Sequence, residues 1–214
     1  MELPPPSIDQ LSKLAASNLP PSQLFEILSR YETDARLLLA GNDDPQLLSL
    51  FYSTFFFAHL LTEQVPEARA LSQRFPEALR HQDPYLQSCL TLLRAIWQNR
   101  HDQIYQILRN LPWSEGLQPL VQRYESFFQD QSLIAVSTSY EALRLPTAAT
   151  YLGLDSTAAE QGDPAVIKKF TDCGWKWDAE AKLLYPTPIV LQSIDERPLN
   201  GIHDAMKLLG NRRN

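Results

Sequence analysis

Four histidines, two cysteines and one run of three hydroxyl side chains have the most capacity for chemistry in this sequence, and their spacing gives none of them a working partner. A zinc hydrolase site on a helix needs two histidines four residues apart with a glutamate between them. His59, His81, His101 and His203 instead stand in four separate segments. His59, lodged between FFFA and LLTEQ, reads as a hydrogen-bonded helix residue. Cys89 and Cys173 are far apart in helix-like segments and read as buried free thiols, suited to a reducing cytosol or nucleus. Ser137, Thr138 and Ser139 have no adjacent base to activate a nucleophile, so a helix face is the better reading. No glycine-rich phosphate loop is present, and Gly153-Leu154-Asp155 reads as the exit of a helix. Asp43 and Asp44 precede a helix start, where negative charge complements the macrodipole. The expectation is a chain that is not an enzyme, holds no metal or cofactor and takes no small-molecule substrate.

Composition narrows the partners. The 214 residues carry a net charge of -6 and a pI near 5.2, which disfavours non-specific binding to phosphate backbones. Lys168, Lys169, Lys176 and Lys182 are interspersed with Glu160, Asp163, Asp172, Asp178 and Glu180, whereas a groove-reading helix wants cations on a face with few anions. No nucleic-acid partner is therefore expected. No window approaches the roughly 18 apolar residues of a membrane span, and the MELPPPSIDQ start lacks the basic and apolar regions of a secretory signal.

The elements that must position these side chains are mostly helical. With 44% hydrophobic residues, 7 glycines and 16 prolines, the chain reads as helices started by proline rather than one uninterrupted bundle. Asp44-Pro45, Val65-Pro66, Asp83-Pro84, Leu145-Pro146 and Asp163-Pro164 mark the starts. A first helix is predicted over 8–18 with Leu11, Leu14 and Ala15 inward, and a second is lined by Leu24, Ile27, Leu28 and Tyr31. The segment LLSLFYSTFFFAHLL is apolar nearly all round, so its helix must be central. Further helices place Ala68, Leu71 and Phe75, then Leu86, Cys89, Leu90, Leu93, Ile96 and Trp97, then Ile104, Tyr105 and Leu108 inward. Leu117, Leu120, Val121, Tyr124, Phe127 and Phe128 continue the helical spacing.

From Leu133 the character changes. Helices are predicted over 133–143, 146–152 and 164–173, the last stopped by Gly174. Trp175-Lys176-Trp177, a polar turn over 178–181, and Lys182-Leu183-Leu184-Tyr185 then alternate as a β-hairpin. The fold class expected is mostly α: a tetratricopeptide-like helical-repeat array over 1–132, a winged-helix subdomain over 133–190, and a linker with a C-terminal helix over 191–214. The hairpin residues Trp175, Trp177, Lys182, Leu183, Leu184 and Tyr185 are the candidate partner interface, because an exposed strand edge is a template for another chain's strand. For the two tryptophans a plain core role stays open. Leu199, Ile202, Met206 and Leu209 step by three, four and three as a short coiled-coil seam, a second candidate interface that packs on its own chain or on a partner.

Several stretches carry a resemblance. A helical array followed by a winged helix resembles the PCI domain family, and the stretches that narrow the resemblance are Ala68-Arg69, Ile96-Trp97-Gln98, Ile104-Tyr105, Trp113-Ser114-Glu115 with Gln118-Pro119, Tyr140, Gly153-Leu154, Gly174-Trp175, and Leu184 with Pro186. More narrowly they resemble its COP-9 signalosome subunit 8 branch, over roughly 68–186. The resemblance implies a small scaffold in a complex that removes the ubiquitin-like protein Nedd from cullins, in nucleus and cytoplasm. It implies association with other PCI subunits through winged helices, subunit 3 foremost, and C-terminal helices gathered in a bundle. It also implies that the isopeptidase metal site belongs to a different subunit. The proteasome lid and a translation initiation factor contain subunits of the same architecture, and a winged-helix nucleic-acid adaptor is the alternative of another class. If the tail seam is an assembly anchor, Ile202→Asp with Met206→Asp should release the chain from its complex while its circular dichroism stays unchanged. Full retention of the double variant on co-purification would show that the seam anchors nothing.

Overall fold

Asp44 and Pro45 start the helix at the centre of the larger core. Asp44 Oδ1 accepts from the amides of Gln46 and Leu47 at 3.0 and 3.3 Å, and Pro45 fills a position whose N–H would have no helical partner. In the computed structural model, residues 6–41 and 44–187 are described, without the side chains of 33–41. The predicted tail seam of Leu199, Ile202, Met206 and Leu209 lies outside the described residues.

The chain is mostly α-helical. Its elements run α1 Ile8–Ala16, α2 Pro21–Gly41, α3 Pro45–Leu61, α4 Val65–Gln73, α5 Glu77–Gln82, α6 Pro84–Trp97, α7 His101–Asn110 and α8 Gln118–Ser139. Then follow β1 Leu143–Arg144, α9 Leu145–Tyr151, α10 Ser156–Glu160, α11 Pro164–Asp172, β2 Lys176–Asp178 and β3 Leu183–Tyr185. All five proline dipeptides open helices as the sequence implies, and Asp83 and Asp163 cap α6 and α11 as Asp44 caps α3.

Every residue of α3 from Leu48 to Leu61 is buried, and α1, α2, α4, α6 and α8 all pack on it. Phe57 shows why: its ring meets Trp113 edge-on at 5.3 Å and Tyr124 at 5.7 Å, binding the loop before α8 and α8 itself to the spine. Each such phenylalanine contributes about 1.5–3 kcal/mol by leaving water. A second, smaller core gathers Val136, Leu145, Ala148, Ala149, Phe170, Trp175 and Leu184 around a three-stranded antiparallel sheet of order β1-β3-β2.

Four expectations need correction. The helix predicted over 133–143 is the second half of α8, because the polar run Gln129-Asp130-Gln131-Ser132 contains no breaker. That run passes between the two cores, so polarity there marks a change of buried face rather than a turn. Residues 143–144 form β1, and α10 adds a helix that the sequence reading missed. Trp97 is exposed, while the unremarked Leu92 is fully buried; the inward stripe of α6 passes through Leu86, Cys89, Leu92, Leu93 and Ile96. Cys173 is exposed, because it lies past the last inward position of α11, Phe170, whereas Cys89 is buried and its thiol is pushed up to about 12 by burial.

His59 yields a pH test. It is 4% exposed, its ring lies 4.6 Å from Phe55 and 5.1 Å from Phe25, its Nδ1 is 3.2 Å from Gln64 Oε1, and its Nε2 has no hydrogen-bond partner. Burial holds its pKa below the ordinary value of 6.5. The unfolded chain therefore takes up a proton that the folded chain resists. Stability is fully present above about pH 6.5 and falls as pH drops toward the lower folded value. Urea unfolding between about pH 7.5 and pH 5 should show this loss, and His59→Gln should reduce it, the remainder belonging to His101, whose pKa burial also lowers. An unchanged pH slope in that variant would contradict the assignment.

Candidate assembly surface

The hairpin is built by one turn and one alternation. Asp178 Oδ1 accepts from the amides of Glu180 and Ala181 at 2.9 and 3.0 Å, and Lys182 adopts a left-handed φ of 54° to bring β3 back. Trp177 pairs with Leu184, Lys176 with Tyr185 and Asp178 with Leu183. Directly opposed residues share a face of a sheet, so the six predicted interface residues divide. Leu184 is fully buried in the second core, Trp175 is 2% exposed against Phe170 at 5.1 Å, and Trp177 is half-buried with them. Tyr185 is exposed, Leu183 half-buried on the outer face, and Lys182 exposed in the turn rather than in the strand. Because β3 is central, the outer edge of β2 has no strand beside it among the described residues. The outer face adjoins a concavity of about 600 Å³ that includes Tyr140, Glu141, Lys176 and Tyr185.

This small sheet is fixed to the helical array through the end of α9. A helix leaves its last carbonyls without intrahelical donors. Here three side chains from α7 and α8 supply donors to the last carbonyl of α9 and to those of the two residues after it. Tyr105 Oη donates to the Tyr151 carbonyl at 3.1 Å, Gln129 Nε2 to Leu152 at 2.7 Å, and an Arg109 guanidinium nitrogen to Gly153 at 2.7 Å. Glu125 grips the same guanidinium at 2.7 Å through two nitrogens, which aims it. Gly153 has φ 62°, and a Cβ there would overlap the Tyr105 ring, so only glycine lets the exit of α9 lie on that aromatic face.

The groups that could react are engaged elsewhere. Ser137 and Thr138 donate their hydroxyl protons to the Ile134 carbonyl at 2.9 and 3.0 Å, inside α8. His101 meets the Tyr151 ring edge-on at 4.9 Å and lies 5.3 Å from Phe128, with Nδ1 3.4 Å from Ser132 Oγ, and burial lowers its pKa. Among the described residues no cluster of histidine, cysteine, aspartate or glutamate could hold a metal ion.

Residues 46–193 match the CSN8/PSMD8/EIF3K family, a stretch that begins in the first turn of α3 and takes in the second core and most of the first. The chain belongs to that family. Across its whole length it is similar to the COP9 signalosome complex subunit 8 of Emericella nidulans, with 50% identity over 213 residues and 99% of each chain covered. The proteins of the same name from Danio rerio and Xenopus tropicalis are 23% and 26% identical, over 86% and 78% of this chain and 87% and 79% of theirs.

For this CSN8/PSMD8/EIF3K family member, sequence reasoning found the hairpin but missed what holds it. Arg109, Glu125 and Gln129 look like ordinary solvated positions on two helices, and only tertiary contact reveals their use. The available signal was a pairing of Tyr105 with the glycine after α9. Gly153→Ala should destabilise the chain by more than the ~1–2 kcal/mol of left-handed backbone strain alone. Gly162→Ala, at φ 72° with open space around it, should show the backbone contribution only. Equal urea midpoints for the two variants would mean that the Tyr105 contact does not matter.

Proposed function

We propose that this chain is a non-catalytic scaffold subunit of the COP-9 signalosome, the complex that removes Nedd from cullins of cullin-RING ubiquitin ligases. The observation that carries the reading is the 50% identity with a protein of that name over 99% of both chains. Its family name also covers proteasome-lid and initiation-factor subunits, and full-length identity favours the signalosome among the three.

The finer architecture belongs to the same reading. Strand, three helices and a hairpin, in the order β1, α9, α10, α11, β2, β3, form the winged helix of a PCI domain, and the helices before them form a tetratricopeptide-like array. Two separate apolar clusters support a division near residues 132 and 133, with α8 shared between the halves. The free outer edge of β2, with Trp177, Lys182, Leu183 and Tyr185 around it, meets the winged helix of a neighbouring PCI subunit, subunit 3 first. Trp175 and Leu184 act from inside, by fixing the shape that is presented. The tail residues Leu199, Ile202, Met206 and Leu209 join a bundle of C-terminal helices, and the assembled complex works in nucleus and cytoplasm.

Affinity purification of the tagged chain, followed by mass spectrometry, should recover signalosome subunits in near-equal amounts. The isolated chain should leave neddylated cullin intact. Recovery with 26S proteasome or an initiation factor instead, or isopeptidase activity from the chain alone, would defeat the proposal.

A further inference from the structure

Trp97 is the most exposed large apolar side chain among the described residues, at 59%, against 40% or less for the others of its kind. It closes α6 just beyond the inward stripe, and the chain then turns sharply: Gln98 caps the helix, Asn99 takes a φ of 56°, and the Arg100 amide reaches back to the Ala95 carbonyl at 3.0 Å. The indole is therefore held at a rigid helix end in water. Its neighbour is cationic. The guanidinium of Arg69, from α4, lies 5.1 Å above the ring centroid. Arg94 stands one turn earlier on the same face of α6 and Arg100 just past its cap, both exposed.

None of the three arginines takes part in an ion pair among the described residues, although Glu67 and Asp102 lie two positions from Arg69 and Arg100 in sequence. An acidic chain of net charge -6 thus keeps three unpaired guanidinium groups around its most exposed aromatic. Part of that arrangement complements the dipole at the C-terminus of α6. The dipole does not require an exposed indole, nor an arginine from another helix stacked on it. Tryptophan and arginine are the residue types that most often dominate an interface, and a stacked guanidinium keeps its donors free in the ring plane for a carboxylate.

We infer that Trp97, with Arg69, Arg94 and Arg100, is a docking point for an acidic segment of another subunit that also presents an apolar side chain. This rests on the assembly reading, but it concerns the helical array and is independent of the hairpin edge. The apolar side chain covers the indole, and carboxylates pair with the guanidinium groups left unpaired here. A protein partner is favoured over nucleic acid by the overall charge, which would repel a phosphate backbone.

The test uses the full chain, labelled and titrated into complex purified from cells that lack it. Trp97→Ala should weaken binding by about tenfold or more, and R69E/R94E/R100E should do at least as much. Wild-type affinity should fall as salt is raised. A photoreactive phenylalanine placed at position 97 should crosslink to an acidic peptide of another subunit. Because these side chains are exposed, thermal unfolding of the variants should match that of the wild type, and the crosslink is read on an otherwise unaltered chain. Unchanged binding by Trp97→Ala, or crosslinks confined to this chain, to a basic peptide or to nucleic acid, would overturn the docking point while leaving the assembly reading intact. Failure of the wild-type chain to join the complex would sink both.

Discussion

The carbonyls of Tyr151, Leu152 and Gly153, at and just past the end of α9, have no helical donors, and the way they are satisfied ties the two halves of the chain together. Tyr105, Gln129 and Arg109 reach across from α7 and α8 to bond Tyr151, Leu152 and Gly153. Each such bond contributes only about 0.5–1.5 kcal/mol net. The Arg109–Glu125 pair is partly exposed and adds little to stability. What the set supplies is direction, because three donors on two rigid helices accept one orientation of the helix end. Gly153 permits the close approach, and α8, running through both cores, removes any hinge between them. The sheet and its hairpin are thus presented at a fixed angle to the spine helix α3.

That rigidity explains the fate of the potentially reactive side chains. Hydroxyls at Ser137 and Thr138 close on the carbonyl of Ile134, and the rings of His59 and His101 serve as packed aromatics held below their ordinary pKa by burial. Cys89 is a buried apolar filler whose thiol resists ionisation. These groups stabilise a shape. The informative surface is elsewhere: the outer edge of β2, the outer face of the hairpin, and the Trp97 indole with its arginines.

Much of this was legible in the residues. Aspartate-proline pairs fixed the helix starts because a cap and a proline act within one turn, and the nearly all-apolar run of α3 could only be a central helix. The hairpin was legible from alternation, but alternation could not say which face was inward; the register of Trp177 opposite Leu184 decides it. The continuity of α8 was hidden because a polar run without a breaker looks the same whether it is a turn or a crossing between cores. Trp97 was misplaced for a related reason: an aromatic at the last turn of a helix fits either side of the stripe, and Arg69, which settles it, comes from a different helix. The clamp around Gly153 was invisible, since its donors are long polar side chains whose targets are backbone atoms far away in sequence.

Amide hydrogen exchange, read on the free chain and again in the assembled complex, tests most directly whether a preformed surface is presented by a rigid body. The amides of Gly153 and Leu154, bonded to Thr150 and Ala149, should already exchange slowly in the free chain, while the β2 amides that point away from β3 should slow only on assembly. Protection at Gly153 and Leu154 that arises only in the complex, with β2 unchanged, would contradict it.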